Sequence, residues 1–159
     1  MNAVILACSS LVRHVNAAQA KMGTDYPLIT VDRKYHVAPK EMKQQIFERL
    51  QKLPEEVDTV LAAMGFCGGS WNKMPSEKRI VIPRADDCIS LLLHADDARH
   101  PNLKESGHFY LRDSDTDLYS LIAMKQNLCT KYGIQKGQSI FDSWFASYTD
   151  VDIIDTGEY

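Results

Sequence analysis

Short apolar runs alternate with longer amphipathic segments through the first part of the chain. Four of these runs contain few polar residues, and we predict them as strands: Ala3–Ala7, Tyr26–Val31, Thr59–Met64 and Arg79–Ile82. Because they are largely apolar throughout, rather than at every second position, they are typical of strands buried on both faces of a parallel sheet.

Three segments between and after these runs carry helical signals. Leu11–Met22 is followed by a glycine, and Pro39–Leu53 begins with proline and repeats apolar residues at helical spacing. Cys88–His94 follows Asp86 and Asp87, either of which suits the N-cap position. This alternation predicts an α/β layered fold, Rossmann-like, with a mainly parallel central sheet flanked by helices.

The rest of the chain continues without a linker, so we predict a single α/β domain over residues 1–159. We expect a short strand, two helices and a last strand in this part, over Gly107–Leu111, Asp117–Lys131, Ser139–Tyr148 and Val151–Asp155. Asp115 or Thr116 would cap the first of these helices, and Gly133 would end it.

Composition excludes several classes of protein. The chain has 159 residues, of which 45% are hydrophobic and 25% charged, as is usual for soluble domains. The net charge is −3 and no basic run occurs, which argues against nucleic-acid binding. No apolar stretch approaches the roughly 18 residues of a membrane helix, and Met1–Ala7 lacks the charged start of a signal peptide. We therefore expect a cytoplasmic protein.

The four cysteines are widely spaced, and no CxxC or CxxH pair occurs among them. Cys8, Cys67 and Cys88 each follow a predicted strand, whereas Cys129 lies late in a predicted helix, as a small apolar filler or a surface thiol. Ligands of open α/β sheets bind at the carboxyl ends of the strands. We predict that the thiols of Cys8, Cys67 and Cys88 meet there and hold a metal.

The chemistry of three thiolates leaves alternatives open. They suit a [4Fe–4S] cluster with one open iron, or zinc with a fourth ligand from histidine, carboxylate or water. A nucleophilic cysteine without metal and three inert core cysteines are the other interpretations. His94 follows an apolar run and is the histidine best placed to approach the site. We assign the other histidines to the surface: His14, His36, His100 and His108.

Two loops flank these cysteines. Gly65, Gly68 and Gly69 surround Cys67 and would leave amide N–H groups free for a cofactor, although a tight turn explains them equally. Ser9, directly after Cys8, is assigned to the same cofactor-binding set.

The turn before Cys88 carries charged residues that suit chemistry. Arg84 would bind an anionic substrate through its guanidinium group, and Asp87 would act as an acid or base or orient Arg84. A helix cap with a local ion pair is the simpler explanation of the same residues.

Five segments together resemble the domain-of-unknown-function family 1638 (DUF1638): ACSS, GFCGGSW, VIPRADDCISLLL, GHFYL and SWFASYTDVDIIDTG. The family pattern has a first-strand Cys-Gly, a G-x-C-G loop and a P-R-x-x-D-C-I-x-L-L block, matched here by Cys8, Gly65–Gly68 and Pro83–Leu92. Ser9 stands where glycine is usual. The resemblance covers nearly the whole chain and implies anaerobic one-carbon metabolism beside corrinoid-dependent methyltransferases.

Together these observations predict a metalloprotein with a three-cysteine iron–sulfur or zinc site that acts on a small anionic or sulfur-containing substrate. One alternative is an accessory protein that delivers metal or cofactor to a corrinoid or methyltransferase partner. Another is a small-molecule-binding module with structural cysteines. The strand near the C-terminus would leave a sheet edge uncovered, which favours a homodimer.

Overall fold

The computed structural model describes residues 2–94, 103–112 and 120–157. The chain forms two compact units, Met1–Leu103 and Lys104–Gly157, and each is described by itself. The single domain expected over residues 1–159 stays a prediction.

The first unit is built on a four-stranded parallel sheet. Its strands are β1 (Ala3–Cys8), β2 (Leu28–Val31), β3 (Thr59–Ala63) and β4 (Arg79–Val81). Their order is β2-β1-β3-β4, and every neighbouring pair is parallel. The predicted α/β, Rossmann-like layered fold with a parallel central sheet is confirmed. Because all strands run the same way, their carboxyl ends meet at one edge of the sheet.

Helices connect and follow these strands. They are α1 (Val12–Met22), α2 (Pro39–Gln51) and α3 (Cys88–Leu93). Gly23 adopts the left-handed conformation that ends α1, and Asp87 caps α3 by accepting a hydrogen bond from the Ser90 amide. Short 3-10 helices occupy three of the connections, Ser9–Leu11, Arg33–Val37 and Cys67–Gly69.

The segment 32–38, expected as a polar loop, instead contains the 3-10 helix Arg33–Val37. The Asp32 carboxylate accepts a hydrogen bond from the Lys34 amide and so starts this turn. The loop prediction was wrong here because the segment has no apolar periodicity, although its first residue can cap a helical turn.

The core of the first unit surrounds β1. All six residues of this strand are buried, since β1 lies inside the sheet, and Cys8 at its end is fully inaccessible. Met42, Ile46 and Leu50 recur along one side of α2 and are buried as well. Cys8, the first of the candidate ligands, is therefore held in place by a strand whose residues are all buried.

The second unit pairs β5 (His108–Arg112) with β6 (Asp150–Ile154) in a two-stranded parallel sheet. Between them in sequence lie α4 (Leu121–Tyr132) and α5 (Ile134–Phe145). The Phe109 ring packs edge-on against the rings of Phe145 and Tyr148, with centroids 5.1 Å away in both cases. Aromatic packing therefore attaches the helical segment to β5.

The predicted start of α5 at Ser139 was wrong, because the helix begins at Ile134 directly after Gly133. Gly137 lies inside the helix, where a Cβ atom would be 2.5 Å from the Cα atom of Cys129, so this glycine permits close approach of α4 and α5. The predicted start of α4 at Asp117 was wrong, because Ser120 is extended and caps a helix that begins at Leu121. The predicted caps Asp115 and Thr116 lie outside the described residues. Among the residues described, no helix combines the length and apolar character needed to cross a bilayer.

Candidate metal centre

Two cysteines and one histidine converge at the carboxyl edge of the sheet. One ligand atom from each of Cys8, His36 and Cys88 lies within 4.8 Å of the other two. The Cys8 Sγ atom is 3.3 Å from His36 Nε2 and 3.0 Å from Ser10 Oγ. Both cysteines are buried and His36 is exposed, so the cluster has one inner and one solvent-facing side. Two thiols and an imidazole in this arrangement are compatible with a metal site.

The fold explains why these three residues meet. Cys8 is the last residue of β1, His36 follows β2, and Cys88 opens α3 after β4. Each therefore leaves the sheet at the carboxyl end of a parallel strand, and these ends share one edge.

Ser9 attaches the histidine-bearing segment to the end of β1. Its hydroxyl oxygen accepts a hydrogen bond of 2.9 Å from the Arg33 amide, at the start of the 3-10 helix that carries His36. Ser9 therefore positions His36 relative to Cys8. Its predicted contact with a cofactor stays a prediction.

Cys67 lies beside this cluster rather than within it. Its thiol is buried and interacts by hydrogen bonding with that of Cys88, but Cys67 is not a member of the group whose ligand atoms lie within 4.8 Å of one another. Its backbone is left-handed, with φ 44°. Of the three predicted cysteine ligands, the structure brings Cys8 and Cys88 together with His36. The predicted role of Cys67 as a ligand stays a prediction.

Backbone hydrogen bonds join the loop of Cys67 to the turn before Cys88. The Phe66 amide donates to the Ala85 carbonyl over 2.9 Å, and the Cys67 amide donates to the Asp86 carbonyl over 2.7 Å. At Gly65 a Cβ atom would lie 2.5 Å from the Asp87 Cα atom, so only glycine allows this approach. The two loops are held together by main chain.

The other predicted cofactor-binding glycines have packing roles in the described structure. A Cβ atom on Gly68 would lie 2.9 Å from Cγ of Pro39, the first residue of α2, and Gly69 has φ 82°. Both have the positive φ that favours glycine. Their contact with a cofactor stays a prediction.

Hydrogen bonding with a neighbouring thiol and burial raise the pKa of both central cysteines. Hydrogen bonding with Cys88 and burial raise the pKa of Cys8 to about 12, against a smaller lowering by His36. Hydrogen bonding with Cys67 and burial raise the pKa of Cys88 to about 11. A protonated thiol is a poor nucleophile, and a cation is needed to displace its proton.

Arg84 and Asp87, the predicted catalytic pair, both lie in the turn that leads to α3. Asp87 Oδ1 accepts a hydrogen bond of 2.8 Å from the Ser90 amide and is half-buried, as expected for a helix cap. Arg84 is exposed four residues before Cys88. Their catalytic roles stay predictions.

The histidine of the cluster is not the expected one. His94 directly follows α3 and its Nδ1 atom faces the carbonyl oxygen of Ser90, whereas His36, which we assigned to the surface, contacts Cys8. His36 follows β2 as the cysteines follow their strands, so the rule that located Cys8 and Cys88 could have located it too. His100 lies outside the described residues.

Comparison with known proteins identifies one family. A family model described as "Protein of unknown function (DUF1638)" matches residues 30–159. The match includes His36, Cys67 and Cys88 and begins after Cys8. No curated protein and no solved structure matches the chain. Because the match spans more than half of its length, the chain belongs to the DUF1638 family of proteins of unknown function.

Proposed function

We propose that this protein binds one transition-metal ion through Cys8 Sγ, His36 Nε2 and Cys88 Sγ. The observation that carries the proposal is the mutual proximity of the three ligand atoms, all within 4.8 Å of one another. Around one tetrahedral zinc ion, with Zn–S bonds near 2.3 Å, such atoms would be separated by roughly 3.5–4 Å. The side chains therefore need only small adjustments to share an ion.

A single ion is supported better than an iron–sulfur cluster. Each cysteine of a [4Fe–4S] cluster ligates its own iron atom, so the cluster itself separates the ligand sulfurs. The proximity of Cys8, Cys88 and His36 favours one centre instead, and mixed sulfur and nitrogen donors are typical of zinc.

We further propose that the fourth coordination position takes a small anionic or sulfur-containing substrate. Three protein ligands and one open position are typical of catalytic zinc sites. The exposed His36 marks the solvent-facing side of the cluster. Arg84 would bind the anionic group of the substrate, and Asp87 would keep the turn of Cys88 in place through its cap and hold or accept a proton.

Metal binding is tested by anaerobic purification followed by metal and sulfide analysis and by zinc titration. We expect one ion per chain and no sulfide, with binding lost in Cys8→Ser and Cys88→Ser and weakened in His36→Ala. Cys129→Ser is the matched control, because Cys129 lies in the second unit, and it should bind like the parent protein. Metal at background level in the parent protein, or full binding by Cys8→Ser, would contradict the proposal. Sulfide and iron in equal amounts would support the cluster instead.

The exposure of His36 also supports a second role, delivery of the metal to a partner protein such as a corrinoid-dependent methyltransferase. A solvent-facing ligand can be replaced by a ligand of the acceptor while the buried cysteines still hold the ion. Transfer to a metal-free acceptor faster than spontaneous release would support delivery. Transfer at the rate of spontaneous release would contradict it.

A further inference from the structure

Cys67 is a buried thiol beside the proposed centre that the centre does not use. Its backbone amide donates to the carbonyl of Asp86, two residues before Cys88, yet Cys67 is absent from the group formed by Cys8, His36 and Cys88. An ion held by those three residues therefore has the loop of Cys67 beside the turn that carries one of its ligands.

The backbone at Cys67 indicates that the thiol has a role of its own. Its φ of 44° lies in the left-handed region, which costs an L-residue with a side chain about 1–2 kcal/mol and which glycine adopts freely. At the next two positions, which also have positive φ, the chain has glycine: Gly68 with φ 67° and Gly69 with φ 82°. Cysteine at such a position is expected where the sulfur is needed.

We propose that Cys67 and Cys88 form a reversible disulfide that expels the metal ion, so that oxidation switches the centre off. This inference rests on the proposed metal site, whose regulation it describes.

The geometry favours Cys88 as the partner of Cys67. The Cys67 amide donates to the Asp86 carbonyl, and the Gly65 backbone touches that of Asp87, so main chain holds the two sulfur-bearing loops side by side. Cys8, by contrast, is engaged by His36 and Ser10. Cys67 is also the most accessible of the three cysteines, at 8% exposed against 3% for Cys88 and 0% for Cys8, so a small oxidant reaches it first.

A hydroperoxide supplies the two oxidising equivalents. The sulfur of the Cys67 thiol attacks the peroxide, the O–O bond breaks and an S–O bond forms, and the thiol proton leaves with the departing oxygen, as water when the oxidant is hydrogen peroxide. The Cys88 sulfur, a thiolate while it ligates the ion, then attacks the sulfur of this sulfenic acid, so an S–S bond forms, the S–O bond breaks and hydroxide leaves. One thiol and one thiolate are oxidised and one peroxide is reduced. The ion loses its Cys88 ligand and is released, and an external thiol restores the site.

The test treats zinc-loaded protein with hydrogen peroxide and follows released zinc with a chromogenic chelator, while peptide mapping locates disulfides. We expect one Cys67–Cys88 disulfide for each ion released, reversed by dithiothreitol. Cys67→Ser should bind zinc like the parent protein but release it much more slowly under peroxide. Cys129→Ser should behave like the parent in both assays.

Three results would overturn the inference. They are a different disulfide in the oxidised parent protein, zinc release at the parent rate from Cys67→Ser, and loss of zinc binding in Cys67→Ser, which would make Cys67 a ligand. Absence of zinc binding in the reduced parent protein would instead overturn the proposed metal site. The disulfide can be mapped in metal-free protein, so the two failures remain distinguishable.

Discussion

Gly65 and Asp87 approach each other so closely that no side chain fits between them. A Cβ atom on Gly65 would lie 2.5 Å from both the Cα and the N atoms of Asp87. Both partners are main chain, so relief requires one loop to move. This contact brings the Cys67 loop against the turn that begins α3 and thereby sets the position of Cys88.

We expect Gly65→Ala to separate these two loops. The overlap should reduce the free energy of unfolding by about 1–3 kcal/mol, as overpacking does in cores, and weaken zinc binding because Cys88 shifts. Urea unfolding and zinc titration measure the two effects. Gly23→Ala is the control: its φ of 64° makes alanine unfavourable, but nothing lies within 4 Å. It should lose stability and keep zinc affinity. Unchanged zinc affinity in Gly65→Ala would contradict the role of this contact.

At position 67 a glycine variant should be more stable than an alanine variant, which is the reverse of the order expected in a helix. The backbone at position 67 has φ 44°, and alanine retains the strain of this left-handed conformation. The free energy of unfolding of Cys67→Gly should therefore be about 1 kcal/mol higher than that of Cys67→Ala. Both variants lack the thiol, so the difference reports the backbone alone. The control pair is Cys129→Gly and Cys129→Ala in α4, where alanine should be the more stable by about 1 kcal/mol. If the alanine variant is the more stable at both positions, the backbone at Cys67 is not strained.

Ser9 should affect metal binding without touching the metal. Ser9→Ala removes the hydrogen bond from the Arg33 amide and loosens the segment of His36, so zinc affinity should fall about 10-fold, as for other residues that orient ligands. Ser9→Thr retains the hydroxyl and should restore the affinity. In the control Ser76→Ala, an exposed turn loses the comparable bond from Lys78 to the Ser76 hydroxyl, and affinity should not change. Equal affinity of Ser9→Ala and the parent protein would refute a positioning role.

The parallel sheet was predictable because burial on both faces leaves a direct signature in sequence. Thr59–Ala63 and Ala3–Cys8 are nearly continuous apolar runs, and the structure pairs them as central strands. The position of strand ends then predicted that Cys8, Cys67 and Cys88 meet, and the structure brings Cys8 and Cys88 into one group without Cys67. The positions of the strands, and with them the meeting of Cys8 and Cys88, follow from the pattern of apolar residues.

The role of His36 in the cluster was not predicted, because the residues around it in the sequence are largely polar. His36 lies on a 3-10 helix whose stabilising hydrogen bonds include one from the Lys34 amide to Asp32 and one from the Arg33 amide to Ser9, and neither leaves a periodic signal in the sequence. Similarly, the early start of α5 depends on contact of Gly137 with the backbone of Cys129, which sequence spacing does not reveal. Both features depend on tertiary contacts, and these contacts leave no pattern in the sequence from which they could be predicted.

The second unit should lose stability as the pH rises, because of His108. Its Nδ1 atom lies 2.7 Å from Asp152 Oδ2, and Glu105 and Asp150 face its Nε2 atom at 3.7 and 3.8 Å. Hydrogen bonding with Asp152 raises the pKa of His108 above its ordinary value of 6.5. The contribution of protonated His108 to the free energy of unfolding is therefore complete below about pH 6.5. It is lost as the pH rises through the higher pKa that His108 has in the folded protein. Urea unfolding across this window should show the decline, and Asp152→Asn should flatten it. An NMR titration placing the pKa of His108 below 6.5 would refute this.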